Sequence, residues 1–125
     1  DLSEFNSLRA NKVYASLAKR PNLLSEAYTP ACLDFRGSLS LDRVQKEIII
    51  QASKNGRCLG VIQWIKAKLF DDIYYENNPT IAGYHSHWQT PIYFFDEPIE
   101  LIVGNKISII YTMNGTSSWF SLNRK

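Results

Sequence analysis

Residues 47–70 read EIIIQASKNGRCLGVIQWIKAKLF. Three consecutive isoleucines, the interruption Lys54-Asn55-Gly56-Arg57 and a second apolar run follow one another. β-branched side chains are stiff and pack well on a pleated surface, so both runs favour strands. Asn-Gly between two such runs is a strong hairpin signal, because both turn positions require positive φ. The spacing therefore predicts a strand over 47–52 and a returning strand over 58–70. On the returning strand Val61, Ile65, Ala67 and Leu69 share one face, with Gln63 among them. Ile62, Trp64, Lys66, Lys68 and Phe70 share the other. Apolar residues on both faces of its first half imply cover on both sides.

Downstream the period of two continues. A strand is expected over Ile92 to Phe95, a turn at Asp96-Glu97-Pro98, and a strand from Ile99 to Val103. Gly104-Asn105 marks the next turn. In the following strand Ile107, Ile109, Tyr111 and Met113 face one way, and Ser108, Ile110 and Thr112 the other. Asn114-Gly115 is a second hairpin signal, and Ser118 to Leu122 returns from it. Short strands at regular spacing argue for a mainly β domain, an antiparallel barrel or sandwich over 31–125.

Upstream, residues 1–30 read as a helical leader. Ser3 suits a helix N-cap, with Glu4 favourably placed in the first turn. Ala10, Val13, Tyr14 and Leu17 fall at i, i+3, i+4 and i+7 and form one apolar stripe. Pro21 stops this helix, and a short helical turn over 23–27 precedes Pro30.

The 125 residues suffice for one domain with a core of its own. Fourteen basic residues against twelve acidic give a net charge of +2. They form no basic stripe, so a nucleic-acid partner is not expected. The apolar runs span only a few residues, which excludes a membrane-crossing helix. Cys32 and Cys58 have no metal-ligand spacing and read as buried, reduced thiols of a cytoplasmic protein. There is no Gly-rich strand-to-helix loop, no GxSxG and no HExxH, so a self-sufficient enzyme is not expected. Asp71-Asp72 and Asp96-Glu97 read as solvated turns.

The chemistry-bearing stretch is GYHSHWQTPIYFFDEP, residues 83–98, with the only two histidines of the chain. His85 and His87 alternate, so as strand residues both would point to one side at metal-ligand distance, as in cupin-type barrels. The glutamate that such barrels place a few residues later is missing, since the first one after His87 is Glu97. A second reading has the His-Trp pair close a barrel end, with the imidazole bonded to a backbone carbonyl. Tyr74, Tyr75 and Tyr84 near the same stretch would line a peptide groove or cap that barrel end.

A third reading comes from resemblance. Ser86-His87-Trp88, followed by Gln89-Thr90-Pro91-Ile92-Tyr93-Phe94-Phe95-Asp96-Glu97-Pro98-Ile99 and then Val103-Gly104, resembles the Thr-His-Trp loop and following strands of protein arginine methyltransferases. The 48–70 hairpin is similar to part of that family's barrel, and Glu76-Asn77-Asn78-Pro79-Thr80 stands where its Ser-x-x-Pro-type loop would be. The chain departs from the pattern at Ser86, usually threonine, and at Gln89 and Thr90, commonly lysine and glutamine. Pro91 also departs, and it requires a strand that starts late or lies at an edge.

The resemblance implies the C-terminal barrel domain of an enzyme that uses S-adenosylmethionine. The chain itself begins at Asp1 and would hold neither the cofactor nor the two glutamates that clamp the arginine substrate. Those would lie on a preceding cofactor-binding domain, its first partner, with an arginine-bearing protein as substrate. His87 would be an auxiliary catalytic residue donating to a carboxylate of that domain. Ser86 and Trp88 would be substrate-binding, with Trp88 shaping the floor of the arginine channel. His85 would be an ordinary rim residue. The leader stands where the family keeps its dimerisation arm, so it either docks on a second copy in a homodimer or packs on its own barrel.

An imidazole beside a carboxylate is stabilised in its protonated form. NMR titration should therefore give His87 a higher pKa in the assembled enzyme than in this chain alone. Equal values would remove the proposed partnership. Calorimetry with zinc, nickel or iron tests the cupin-like alternative, which requires tight stoichiometric binding that is lost in His85→Ala and His87→Ala.

Overall fold

The structure, a computed structural model, describes residues 12–15, 21–37, 42–81, 90–115 and 117–124. They form eight strands: β1 (Lys12–Ala15), β2 (Val44–Gln51), β3 (Gly56–Ile62), β4 (Lys66–Phe70), β5 (Ile73–Glu76), β6 (Thr90–Leu101), β7 (Lys106–Asn114) and β8 (Ser117–Leu122). β1–β6, β2–β7, β4–β5 and β7–β8 all pair antiparallel. The protein is thus mainly β and antiparallel, as the alternation predicts. The sheets have orders β1-β6-β3, β2-β7-β8 and β4-β5. No strand pairing joins them, so the described residues do not close into the expected barrel.

The chain divides into two compact units, Asp1–Asn22 with Gly60–Asp96, and Leu23–Leu59 with Glu97–Lys125. In the second unit β2 pairs with β7 over its whole length, Ile48 opposite Ile109 and Ile50 opposite Ile107. Ile48, Ile109, Tyr111 and Phe120 are buried on one face of this sheet. The Tyr111 and Phe120 rings stand opposite one another with centroids 5.2 Å apart. The β7 faces are those expected from the alternation.

This pairing corrects the first hairpin expectation. The isoleucine run joins a strand more than fifty residues away, not the run that follows it, and β3 pairs with β6. Asn55-Gly56 is no hairpin turn, and neither residue takes a positive φ. The Asn55 side chain instead accepts the Val103 N–H at 2.8 Å. The Leu24 carbonyl accepts the Ser53 N–H at 2.8 Å and binds the start of this connection to an upstream segment. Gly104 and Gly115 do take left-handed φ values, 91° and 62°, at the two later turns. The second hairpin forms as expected, with Asn114 still paired to Ser117 and the reversal carried by Gly115 onward.

In the first unit the predicted long strand over 58–70 is two strands, broken between Ile62 and Lys66. Asp71, at φ 43°, and Asp72 make the exposed turn between β4 and β5, as expected. The β4–β5 register slips between Lys68 and Phe70, so Leu69 is an extra residue. That bulge resets the alternation and places Phe70 and Ile73 on the face of Ala67 and Tyr75.

β6 runs unbroken from Thr90 to Leu101. Asp96-Glu97-Pro98, expected as a turn, are exposed residues inside this strand. Pro91 is its second residue, and its carbonyl accepts the Gln63 N–H at 3.0 Å. The missing proline N–H faces that same side, so the Gln63–Pro91 pair forms only one of its two bonds and β3 ends one residue earlier, at Ile62. β6 nonetheless starts at Thr90 and lies between β1 and β3, against the expected late start or edge position.

The helical leader is also corrected where it can be seen. Residues 12–15 are strand β1, with Val13 opposite Ile92 and Tyr14 opposite Pro91. A β-branched and an aromatic residue beside a strand edge gain more from pairing than from a helical stripe. Residues 23–27 carry a single bridge, Ser25 to Ala52, and no helical turn. Residues 1–11 and 16–20, with Ser3, Ala10 and Leu17, lie outside the described residues. Among the described residues no helix is long and apolar enough to cross a membrane.

Gly60 on β3 lies against the backbone of β6. A Cβ there would press on the Tyr93 carbonyl and stand 2.9 Å from the Phe94 Cα, both main-chain atoms that cannot yield cheaply. Gly60→Ala should lower stability in urea by about 1–3 kcal/mol or more. An unchanged midpoint would show that β3 and β6 are not this close.

Candidate functional site

Ser86, His87 and Trp88, with Tyr84 and His85, fall in 82–89, outside the described residues. The chain enters that stretch from Ile81 and leaves it at Thr90, both in the first unit. The described residues on either side of that stretch are those of β6 and of the loop that follows β5.

Tyr93 is 1% exposed, and its hydroxyl donates to Gln63 Oε1 at 2.9 Å. Gln63 is thus held to β6 twice, by its side chain and by its backbone bond to Pro91. Lys12 on β1 places Nζ 5.2 Å from the Tyr93 ring centroid and 5.7 Å from that of Tyr14, within cation–π range. Thr90, opposite Ala15, is fully buried, and its Oγ1 has no hydrogen-bond partner among the described residues.

The loop after β5 is fixed by two asparagines. Asn77 is buried, accepts the Ile65 N–H on its side chain at 2.7 Å, and donates its own N–H to the Ile65 carbonyl at 3.2 Å. Asn78 Oδ1 accepts both the Thr80 N–H, at 2.9 Å, and the Thr80 hydroxyl, at 2.7 Å. This is the local side-chain bonding that favours asparagine in turns. Tyr74 is exposed beneath the Lys66 ammonium, 5.1 Å from its ring centroid, and Tyr75 is half-buried.

These groups hold backbone in place, and none pairs a nucleophile with a base. Among the described residues no three metal-ligating side chains cluster. The perturbed acid and base are Asp34 and Arg36, an exposed pair in the second unit. Hydrogen bonds from the Arg36 side chain, then from its backbone N–H, hold the Asp34 carboxyl below its ordinary value. The same side-chain bond raises the Arg36 guanidinium. Arginine does not release its proton in proteins, so this pair offers no acid–base chemistry. Neither Cys32 nor Cys58 forms a disulfide; Cys32 is exposed, contrary to the expected burial, and Cys58 is half-buried.

Gln63, Asn77 and Lys12 were not apparent as supporting groups in the sequence. Gln63 left one trace, a lone amide in an otherwise apolar alternation. Compared with models of known protein families and with curated proteins, the chain matches none.

Two substitutions should differ in their effect on stability. Asn77→Ala leaves the Ile65 N–H without its acceptor and should cost about 1–3 kcal/mol in urea unfolding. Thr90→Val removes a buried hydroxyl with no described partner and should leave the midpoint unchanged or raise it. A clear loss in Thr90→Val would reveal a partner for that hydroxyl.

Proposed function

We propose that this chain is the substrate-cleft domain of an S-adenosylmethionine-dependent protein arginine N-methyltransferase of the cytoplasm. The observation that carries the reading is the ungapped likeness of Ser86-His87-Trp88 and the residues through Gly104 to the family's Thr-His-Trp loop and following strands. The continuity of β6 from Thr90 to Leu101 is compatible with a loop that feeds directly into a strand. The barrel closure of that family remains part of this proposal.

The sequence has no Gly-rich strand-to-helix turn of the kind that cradles such a cofactor. Cofactor binding is assigned to the partner domain, and no step of methyl transfer is assigned to this chain. Its contribution is alignment. His87 orients a carboxylate of the partner domain, and Ser86 and Trp88 border the arginine channel. Such transfer depends on placing the acceptor nitrogen in line, and an error in that placement costs about a hundredfold in rate.

The natural polypeptide that contains these residues should methylate an arginine peptide, and the chain alone should bind no S-adenosylmethionine in calorimetry. His87→Ala in the natural polypeptide should lower kcat/KM by about a hundredfold, with cofactor affinity unchanged. Full activity in that variant, or absence of methyl transfer from the unaltered polypeptide, would reject the proposal.

A further inference from the structure

Two Asn-Gly steps occur in the chain, Asn55-Gly56 and Asn114-Gly115, and the fold holds them differently. The backbone nitrogen that follows an asparagine can attack the side-chain carbonyl and close a cyclic imide. Glycine in second place leaves that nitrogen unobstructed, because it carries no Cβ. Closure then depends on two things. The asparagine ψ must leave the extended range, and the attacking nitrogen must lose its proton.

Asn114 is poorly placed on both counts. It is the last residue of β7 and still pairs with Ser117, so the ladder holds its backbone extended. Its sequence neighbours, Met113, Gly115 and Thr116, bring no charge.

Asn55 differs in three respects. It is exposed and lies between β2 and β3, inside neither strand. Its Oδ1 accepts the Val103 N–H at 2.8 Å, so a donor already faces the oxygen on which negative charge gathers when nitrogen adds. Lys54 and Arg57 flank the step, and nearby cations favour a deprotonated nitrogen. Arg57 has Glu100 at 3.9 Å, but both side chains are exposed and water weakens that pairing.

We propose that Asn55 is a self-modification site. The Gly56 nitrogen gives its proton to hydroxide and bonds to the Asn55 Cγ. The Cγ–Nδ2 bond breaks, and ammonia leaves with a proton taken from water. Water then opens the imide, at Cγ to give aspartate or at the main-chain carbonyl to give isoaspartate. The net change consumes water and releases ammonia.

Isoaspartate routes the main chain through Cβ and so adds a carbon to it between Lys54 and Gly56. The surroundings leave little slack for that. Ser53 is tied to the Leu24 carbonyl, Val103 to the Asn55 side chain, and a Cβ on Gly56 would stand 2.8 Å from Leu24 Cδ2. Aspartate keeps the chain length and an oxygen for the Val103 N–H. Nothing in this step draws on His87 or on methyl transfer.

The test ages the chain in mildly alkaline buffer, folded and in urea, and follows both asparagines by peptide mapping with mass spectrometry. In the folded chain Asn55 should convert about tenfold faster than Asn114, or more. In urea, where no ladder holds Asn114, the two rates should draw together. The isoaspartate form, isolated from the aged chain, should unfold at lower urea than the parent, whereas Asn55→Asp should keep the parent's midpoint. Absence of conversion at Asn55 would overturn the proposal. So would a rate ratio no larger in the folded chain than in urea, or an isoaspartate form as stable as the parent.

Discussion

The register of β2 on β7, with Ile48 opposite Ile109, is the constraint from which most of the described structure follows. It commits the even-numbered residues of β2 to the ladder and to the buried face shared with Tyr111 and Phe120. A slip of one residue would turn Ile48 out and bring Ile49, with its polar neighbours Glu47 and Gln51, onto the core. The opposite face shows the same logic, because Glu47 and Ser108 meet there and share Asn123 as a partner. Once β7 has taken one edge of β2, only its outer edge remains, and β3 pairs with β6.

The strands were legible where alternation was strong and undisturbed. The faces of Ile107 to Met113 and the reversal after Asn114 could be read directly, because each depended on local chemistry. What could not be read was partnership. Asn55-Gly56 has the composition of a hairpin turn, yet the Leu24 carbonyl and the Val103 N–H claim the groups around it. Leu69 is a second case, since one inserted residue reverses the side on which every later side chain falls. Val13 and Tyr14 suit a helical stripe and a strand equally well, and pairing with β6 decides the matter. Tertiary pairing overrode local signals in all three places.

The functional stretch presents a different balance. Its motif residues were found in the sequence by resemblance, whereas the groups that brace its exit strand emerged only from the fold. Gln63 is bound to Tyr93 and Pro91 because the break after β3 brings an amide level with the start of β6. No periodicity announces such a contact. The buried Thr90 hydroxyl is the one polar group of this set without a described partner, and in sequence it follows soon after His87.

The pairing of β2 is open to a direct measurement, residue-resolved amide hydrogen exchange in the free chain. Ile48 and Ile50, bonded to β7, should exchange slowly, and Ile49, whose N–H points away from β7, should exchange fast. Uniform protection from Ile48 to Gln51 would mean that β2 is paired on both sides. That result would contradict the strand order described here.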